Sequence, residues 1–139
     1  MIPKYRAWIK TENRMIGTDD LLVIDYDLTQ IMTQRVFFER GLAVERDIKY
    51  YDFENIELMS STGLFDINGK EIFEGDIVDY KGRRAIVNWH GSYASFIYRF
   101  LDRSHGRKEE WDPLYLAYMK CEVIGDVYQN QELLEVEDE

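Results

Sequence analysis

Cysteine, proline and long apolar runs are scarce in this chain of 139 residues, which has one cysteine and two prolines. Such scarcity excludes a disulfide scaffold and a proline-rich linker. No stretch approaches the roughly 20 apolar residues of a transmembrane helix, and the N-terminal residues contain no apolar segment of signal-peptide length. We therefore expect a soluble cytoplasmic protein that needs neither a disulfide nor a metal for stability.

Basic residues are in the minority, with 17 Lys and Arg against 27 Asp and Glu, and the net charge is -10. This charge disfavours nonspecific binding of the whole chain to nucleic acid or to an anionic membrane. Hydrophobic residues (45%) and aromatic residues (14%) are typical of a globular protein rather than a disordered one. The length suits one ordinary domain or two very small modules that share a core.

Short apolar stretches separated by turn residues predict a mainly β protein. Turn signals follow one another closely after residue 60, at Asn68-Gly69, Gly75-Asp76, Lys81-Gly82 and Gly91-Ser92. Asn-Gly suits a type I′ turn, because both residues tolerate a positive φ, and residues 64–74 are expected to fold as a tight hairpin or as a loop. Strands this short favour an SH3-like barrel over residues 60–139, with a short helix and an acidic tail at its end. Residues 1–59 are expected to form a β-rich segment packed on that barrel.

Two parts of the pattern need the structure to decide them. Between residues 32 and 44, Met32, Val36 and Phe37 fit one face of a helix, while the run from Val36 to Phe38 fits a buried strand equally well. Later in the chain, alternation predicts that Ala85, Val87 and Trp89 lie on the same face of a strand.

Three separated stretches resemble one known family. STGLFDINGKEIFEGDIV (residues 61–78) is similar to the signature of the YopX-like family of small phage and prophage proteins. PKYRAW (residues 3–8) and CEVIGDVYQNQELLE (residues 121–135) resemble its two ends in the right order. Gln131 stands where the family commonly has Pro, and residues 83–111 match no fixed pattern. The resemblance implies a mostly β protein with a C-terminal SH3-like barrel, which acts inside a bacterial host, and it implies no catalytic residue.

No constellation of side chains indicates an enzyme. Five oxygen-bearing side chains lie close together, at Asp66, Asn68, Glu71, Glu74 and Asp76, but their spacing is not that of an EF-hand. Asp66 and Asn68 more simply predict turns that bond their own backbone. His90, His105 and Cys121 are too widely spaced for a typical zinc site, and Cys121 lies in an apolar stretch that predicts burial. We predict no catalytic residue, no cofactor and no metal, and we interpret residues 61–80 as a stretch that determines shape.

Positive charge is concentrated in residues 81–108, where seven cations and one acid give +6 and leave -16 for the rest of the chain. Aromatic residues are interleaved with these cations. Three interpretations stay open: contact with a nucleic-acid strand, rings that fill a core beneath solvated cations, or docking on the acidic remainder of the same chain or of a neighbour. We favour core and docking. The candidate contacts for a partner or for nucleic acid are Arg83, Arg84, Trp89, Tyr93, Arg99, Arg103, Arg107 and Lys108.

These features together predict a phage or prophage accessory protein. It would act as a non-enzymatic binding or self-association module in the host bacterial cytoplasm, with a second copy or a host or phage protein as its partner and no role for a membrane. The alternative is a small barrel that binds nucleic acid through residues 81–108.

Overall fold

The computed structural model describes residues 2–102 and 110–135, which form two compact units. The first unit is Ile2–Ser60, and the second begins at Ser61. The prediction of a mainly β protein is confirmed. The strands are β1 (Tyr5–Ile9), β2 (Arg14–Ile16), β3 (Leu21–Asp25), β4 (Gln30–Glu39), β5 (Leu42–Asp52), β6 (Ile56–Phe65), β7 (Glu71–Phe73), β8 (Asp76–Tyr80), β9 (Arg83–His90), β10 (Ser95–Phe100), β11 (Trp111–Pro113) and β12 (Glu122–Asp126).

Helical structure in the described residues is limited to short 3-10 turns, at Phe53–Asn55, Leu114–Leu116, Tyr118–Lys120 and Gln131–Leu134. Pro113 precedes the second of these turns. The last one begins after Asn130, whose side-chain oxygen accepts a hydrogen bond from the Asp126 N–H instead of capping the turn. No helix among these residues has the length and apolar character needed to cross a membrane. Residues 136–139 of the predicted acidic tail lie outside the described residues.

The first unit contains two antiparallel strand arrangements around a small apolar core. Strand β1 pairs with β2 on one side and with residues 56–60 of β6 on the other. Strands β3, β4 and β5 form a separate three-stranded sheet in that order. The core combines side chains from both arrangements: Ala7, Ile9, Ile16, Ile31, Tyr51 and Ile56.

Residues 30–52 form a long hairpin, so the structure decides for a strand and against a helix at Met32–Phe38. Strands β4 and β5 are joined by Arg40 and Gly41, which both have positive φ angles (51° and 79°), as a two-residue type I′ turn requires. The sequence does not signal this turn, because arginine carries no preference for that conformation. A bulge interrupts the pairing at Phe37 and Phe38.

The second unit is a five-stranded antiparallel sheet in the order β11-β10-β9-β8-β12, curled into a half-barrel. The prediction of a small SH3-like barrel in this part of the chain is confirmed. Strands β9 and β10 place alternate side chains inside. The core residues are Ile72, Val78, Ala85, Val87, Tyr98, Phe100, Leu114, Ala117, Cys121 and Val123.

The predicted turns at Lys81-Gly82 and Asn68-Gly69 have different outcomes in the structure. Lys81 and Gly82 have φ angles of 52° and 83° and form the expected tight turn between β8 and β9. Asn68-Gly69 belongs to a loop and not to a type I′ hairpin turn, because only Gly69 has a positive φ (79°). Residues 66–70 form a longer loop, which a side chain closes from within.

Trp89 follows Ala85 and Val87 on their face of β9, but it lies beyond the end of the core and is exposed.

Candidate protein-binding surface

The loop at residues 66–70 is built around the buried carboxylate of Asp66. Its Oδ1 accepts hydrogen bonds from the backbone N–H groups of Asn68 (2.9 Å) and Lys70 (2.8 Å), and its Oδ2 accepts one from Val123 (2.8 Å) on β12. One side chain therefore closes the loop and fastens it to a strand. The prediction that Asp66 bonds the backbone of its own turn is confirmed. Within the described residues, no group of three or more His, Cys, Asp and Glu side chains is placed to hold a metal ion.

Two effects act on the pKa of Asp66 in opposite directions. Burial raises it, but the three backbone N–H groups stabilise the carboxylate and together hold the pKa below its ordinary value. Burial also raises the pKa of Cys121 to about 11, with a smaller contribution from the nearby charge of Asp66. Cys121 is therefore a buried thiol that stays protonated at neutral pH, and the predicted burial is confirmed.

Arg83, the first arginine of the predicted contact set, is held by its own chain. Its Nη2 donates to Asp102 Oδ1 at 2.6 Å and to Glu110 Oε2 at 3.0 Å, and its Cζ lies 3.7 Å from the centroid of the Phe100 ring. The bonds to Asp102, and next those to Glu110, raise the pKa of Arg83 above its ordinary value. Two carboxylates and a ring leave this guanidinium little capacity to bind a phosphate.

Two further arginines of the set also have partners within the chain. Arg84 donates through Nη1 to the carbonyl oxygens of Leu133 (3.2 Å) and Glu135 (3.4 Å). Arg99 donates through Nη2 to Asn88 Oδ1 (3.4 Å) on the neighbouring strand. The other cations of the set, Arg103, Arg107 and Lys108, lie outside the described residues, as does His105.

The two rings of the predicted set are exposed, Trp89 by 51% and Tyr93 by 46%. Trp89 packs edge-on against Phe96, with 5.1 Å between the ring centroids. Tyr93 belongs to a different group, in which its ring lies 6.3 Å from His90 and 5.4 Å from Trp111. The structure therefore places the two rings in separate clusters.

A different exposed surface lies on the three-stranded sheet of the first unit. Strand β5 is the edge strand of this sheet, and all but one of its 11 residues are exposed. The register pairs Met32 with Val23 on one side and with Tyr50 on the other, so these three side chains point to one face. Val36 is four positions from Met32 on β4, and Ile48 is two positions from Tyr50 on β5. Because side chains alternate along a strand, both point to the same face as these residues. We call the face formed by Val23, Met32, Val36, Ile48 and Tyr50 the arm surface.

The arm surface is apolar and open to solvent. Val23 and Ile48 are each 43% exposed, and Tyr50 is 59% exposed. The other face of the same sheet carries Ile31 and Tyr51, which are buried in the core of the first unit. The sheet therefore has one face that closes a core and one apolar face that is exposed, an arrangement typical of an interaction site.

Charged side chains alternate with the apolar ones along β5. Asp47 and Lys49 point to the face opposite the arm surface, where Lys49 Nζ binds Glu12 Oε2 at 2.8 Å. This bond, followed by one from Tyr51, lowers the pKa of Glu12. Arg46 lies on the side of the arm surface and donates through Nε to Gln34 Oε1 at 2.7 Å. Strand β5 thus carries both apolar and charged side chains along the open edge of the sheet.

Sequence reasoning did not single out the arm surface. Its apolar alternation at Ile48 and Tyr50 is the same pattern that a strand facing a core would show. The available signal is the stretch ERDIK at residues 45–49, where four of five residues are charged although apolar and aromatic residues lie on both sides. Such a composition is typical of strands at the edge of a sheet.

Comparisons with known proteins agree with this fold. The model of the family described as YopX protein matches residues 4–135. The crystal structure of protein EF1440 from Enterococcus faecalis is similar over 97% of this chain and 99% of that chain, with a TM-score of 0.60 and 30% sequence identity. No curated protein matches the chain.

Proposed function

The chain belongs to the YopX family, and we propose that it acts as a non-enzymatic binding module that associates with itself through the arm surface. The proposed setting is the cytoplasm of a bacterium that carries the phage or prophage, as the family resemblance implies. One observation carries the proposal: strand β5 is an edge strand that is exposed along almost its whole length and bears apolar side chains.

An exposed edge strand favours association for two reasons. No strand of residues 2–102 or 110–135 pairs with its outward N–H and C=O groups, and its apolar side chains remain in contact with water. Natural edge strands are often protected by short length, by proline or by charged side chains. Strand β5 is charged at residues 45–47 and 49, but it has 11 residues, no proline and charges of both signs, which can pair with a complementary strand. A strand from another molecule would bond the open edge and cover part of the arm surface at the same time.

Four acidic side chains of the described residues have environments that do not suit acid–base catalysis. Asp66 is occupied by backbone N–H groups, and the buried Asp76 and Asp126 also accept backbone hydrogen bonds, from Phe73 and Tyr128. The lowered pKa of Glu12 is opposite to what a general acid requires at neutral pH.

The absence of catalysis is a prediction with a direct test. Panels of hydrolase and nuclease substrates with added divalent metals should give no turnover above a blank. Metal-dependent turnover that one carboxylate substitution abolishes would contradict the proposal, because it would identify a catalytic carboxylate.

The wild-type protein should associate in solution, and Ile48→Lys should weaken that association at least about ten-fold, since covering an unpaired cation costs more than the ~1.4 kcal/mol that corresponds to this factor. Size-exclusion chromatography with light scattering, at low and high salt over a range of protein concentrations, measures both effects. We expect the wild type to stay associated at high salt, because salt does not screen apolar and backbone contacts.

Ile67→Lys is the matched control for this experiment. Ile67 is also exposed (62%), and it belongs to the second unit rather than to the unit that contains β5. The same chemical change at this position should leave association unaltered. A wild type that is monomeric at both salt concentrations would refute self-association.

Nucleic-acid binding is the second candidate, favoured by the exposed rings of Trp89 and Tyr93. Because Arg83, Arg84 and Arg99 already have partners, we expect weak binding or none. Fluorescence anisotropy with single- and double-stranded oligonucleotides at two salt concentrations measures it. Salt-sensitive binding that Trp89→Ala or Tyr93→Ala weakens about ten-fold, while Tyr26→Ala does not, would favour this candidate over ours.

A further inference from the structure

We infer that the molecule on the open edge of β5 is a second copy of this chain, whose own β5 pairs with it antiparallel, with Ile48 of both copies on the two-fold axis. The inference rests on the self-association proposed above and adds the partner strand and its register. It follows from the charge sequence of β5 considered together with the symmetry of a strand that pairs with itself.

Symmetry restricts the possible registers. In an antiparallel pair, side chains directly opposite each other lie on the same face of the sheet. Two identical strands paired in this way are related by a two-fold axis perpendicular to the sheet. One residue of β5 therefore faces its own equivalent on the axis, and residues equally far from it on either side face each other.

The charges near the middle of β5 favour one register over the others. The sequence there is Arg46-Asp47-Ile48-Lys49-Tyr50. An axis at Arg46, Asp47 or Lys49 would place two like charges opposite each other, which is destabilising. An axis at Ile48 places two apolar side chains together instead. In this register Asp47 faces Lys49 of the second copy, and Lys49 faces Asp47 of the second copy. The Asp47–Lys49 pair therefore forms twice, once on each side of the axis.

The neighbouring positions agree with the same register. Arg46 lies opposite Tyr50 of the second copy, which suits a cation–π contact, and the symmetry repeats it. Lys49 can bind Asp47 of the second copy without losing Glu12, because an ammonium has three N–H donors and this side chain is 60% exposed. Within the described part of the chain, Asp47 makes no ion pair that this contact would have to break.

The pairing would also join the two arm surfaces. Both three-stranded sheets would continue into one another, with Ile48 of each copy at the centre of a shared face that also carries Gln34 and Arg46. Tyr50 and Met32 would lie next to this centre in each copy, because Tyr50 is two positions from Ile48 and is paired with Met32. A strand of another protein could bond the edge, but it would not in general reproduce these reciprocal charge pairs.

A cysteine scan along β5 tests the register. Directly opposite residues have Cα atoms about 4.5–5.5 Å apart, within the range that a disulfide spans. Ile48→Cys should therefore form a disulfide-linked dimer under mild oxidation. Asp47→Cys and Lys49→Cys should react at least about ten-fold more slowly, because each lies roughly 7–8 Å from its own equivalent. The native thiol of Cys121 is buried and should not interfere.

Val36→Cys is the control on the same face, one strand further from the axis. Wild-type light scattering is measured in parallel, and circular dichroism verifies that each variant is folded. A crosslinking maximum at position 48 supports the inference. A maximum at position 47 or 49 overturns it while self-association stands. So does the absence of a crosslink in all three cysteine variants when the wild type is associated. A monomeric wild type overturns both.

Discussion

Asp66→Ala should destabilise the protein by about 3–5 kcal/mol, because it leaves three backbone N–H groups without their acceptor at a cost of roughly 1–3 kcal/mol each. The N–H of Val123 is fully buried, and those of Asn68 and Lys70 are partly buried. The loop at residues 66–70 would also lose its attachment to β12. Urea unfolding followed by circular dichroism and tryptophan fluorescence measures the change.

Asp79→Ala is the matched control for this substitution. Asp79 also accepts a turn hydrogen bond, from the Gly82 N–H at 3.0 Å, but the bond is exposed. Its loss should cost about 0.5–1.5 kcal/mol, since water can replace the acceptor. If both variants lost equally little stability, Asp66 would not organise the second unit in the way we describe.

The lowered pKa of Asp66 makes the free energy of unfolding depend on pH, and this free energy falls as the pH falls. Because the folded pKa lies below the unfolded value, the ionised site stabilises the protein fully above the unfolded pKa of about 3.9. This contribution is lost as the pH falls through the lower folded value. Asp66→Asn cannot titrate, so its unfolding free energy should fall less steeply than that of the wild type as the pH is lowered below 4. Parallel slopes would contradict the assignment.

Much of the second unit could be predicted from the sequence, because its turns are set by local chemistry. Lys81-Gly82 forms a two-residue turn, and Asp66 bonds the backbone of its own loop. Such features depend on residues a few positions apart, which a sequence displays directly. At Asn68-Gly69 the dipeptide alone could not decide between a tight hairpin and a loop, because the loop depends on a third residue, Asp66, which closes it.

The contact set was harder to predict, because its arginines act through partners that are distant in the sequence. Arg83 binds Asp102 and Glu110, which the sheet brings within reach. A segment that is basic by count is therefore partly neutralised in three dimensions. Arg84 likewise binds carbonyl groups near the end of the described chain.

The arm surface could not be predicted from the hydrophobic periodicity of β4 and β5. Alternation of apolar and polar residues shows that a strand has two different faces, but it does not show which face is buried. Ile31 and Ile48 follow similar local patterns, yet Ile31 is buried in the core and Ile48 is exposed. The difference depends on where β5 lies in the sheet, and that position depends on a turn at Arg40-Gly41 that the sequence does not signal strongly.

Asp47→Lys and Lys49→Asp should each weaken self-association, by about 10- to 100-fold. Each substitution replaces two attractive cross-strand pairs by two repulsive ones, and each such pair contributes roughly 0.2–1 kcal/mol in either direction. Lys49→Asp also removes the ion pair with Glu12, so Glu12→Gln is included to measure that loss alone. Asp27→Lys, an exposed charge reversal in the turn between β3 and β4, should leave association unchanged.

An equimolar mixture of Asp47→Lys and Lys49→Asp tests the central claim most directly. In a mixed dimer, two lysines on one copy face two aspartates on the other, so all cross-strand pairs become attractive. Sedimentation equilibrium should show each variant alone largely monomeric and the mixture restored to nearly wild-type association. A mixture no more associated than its separate components, or single variants as strongly associated as the wild type, would contradict pairing of β5 with β5.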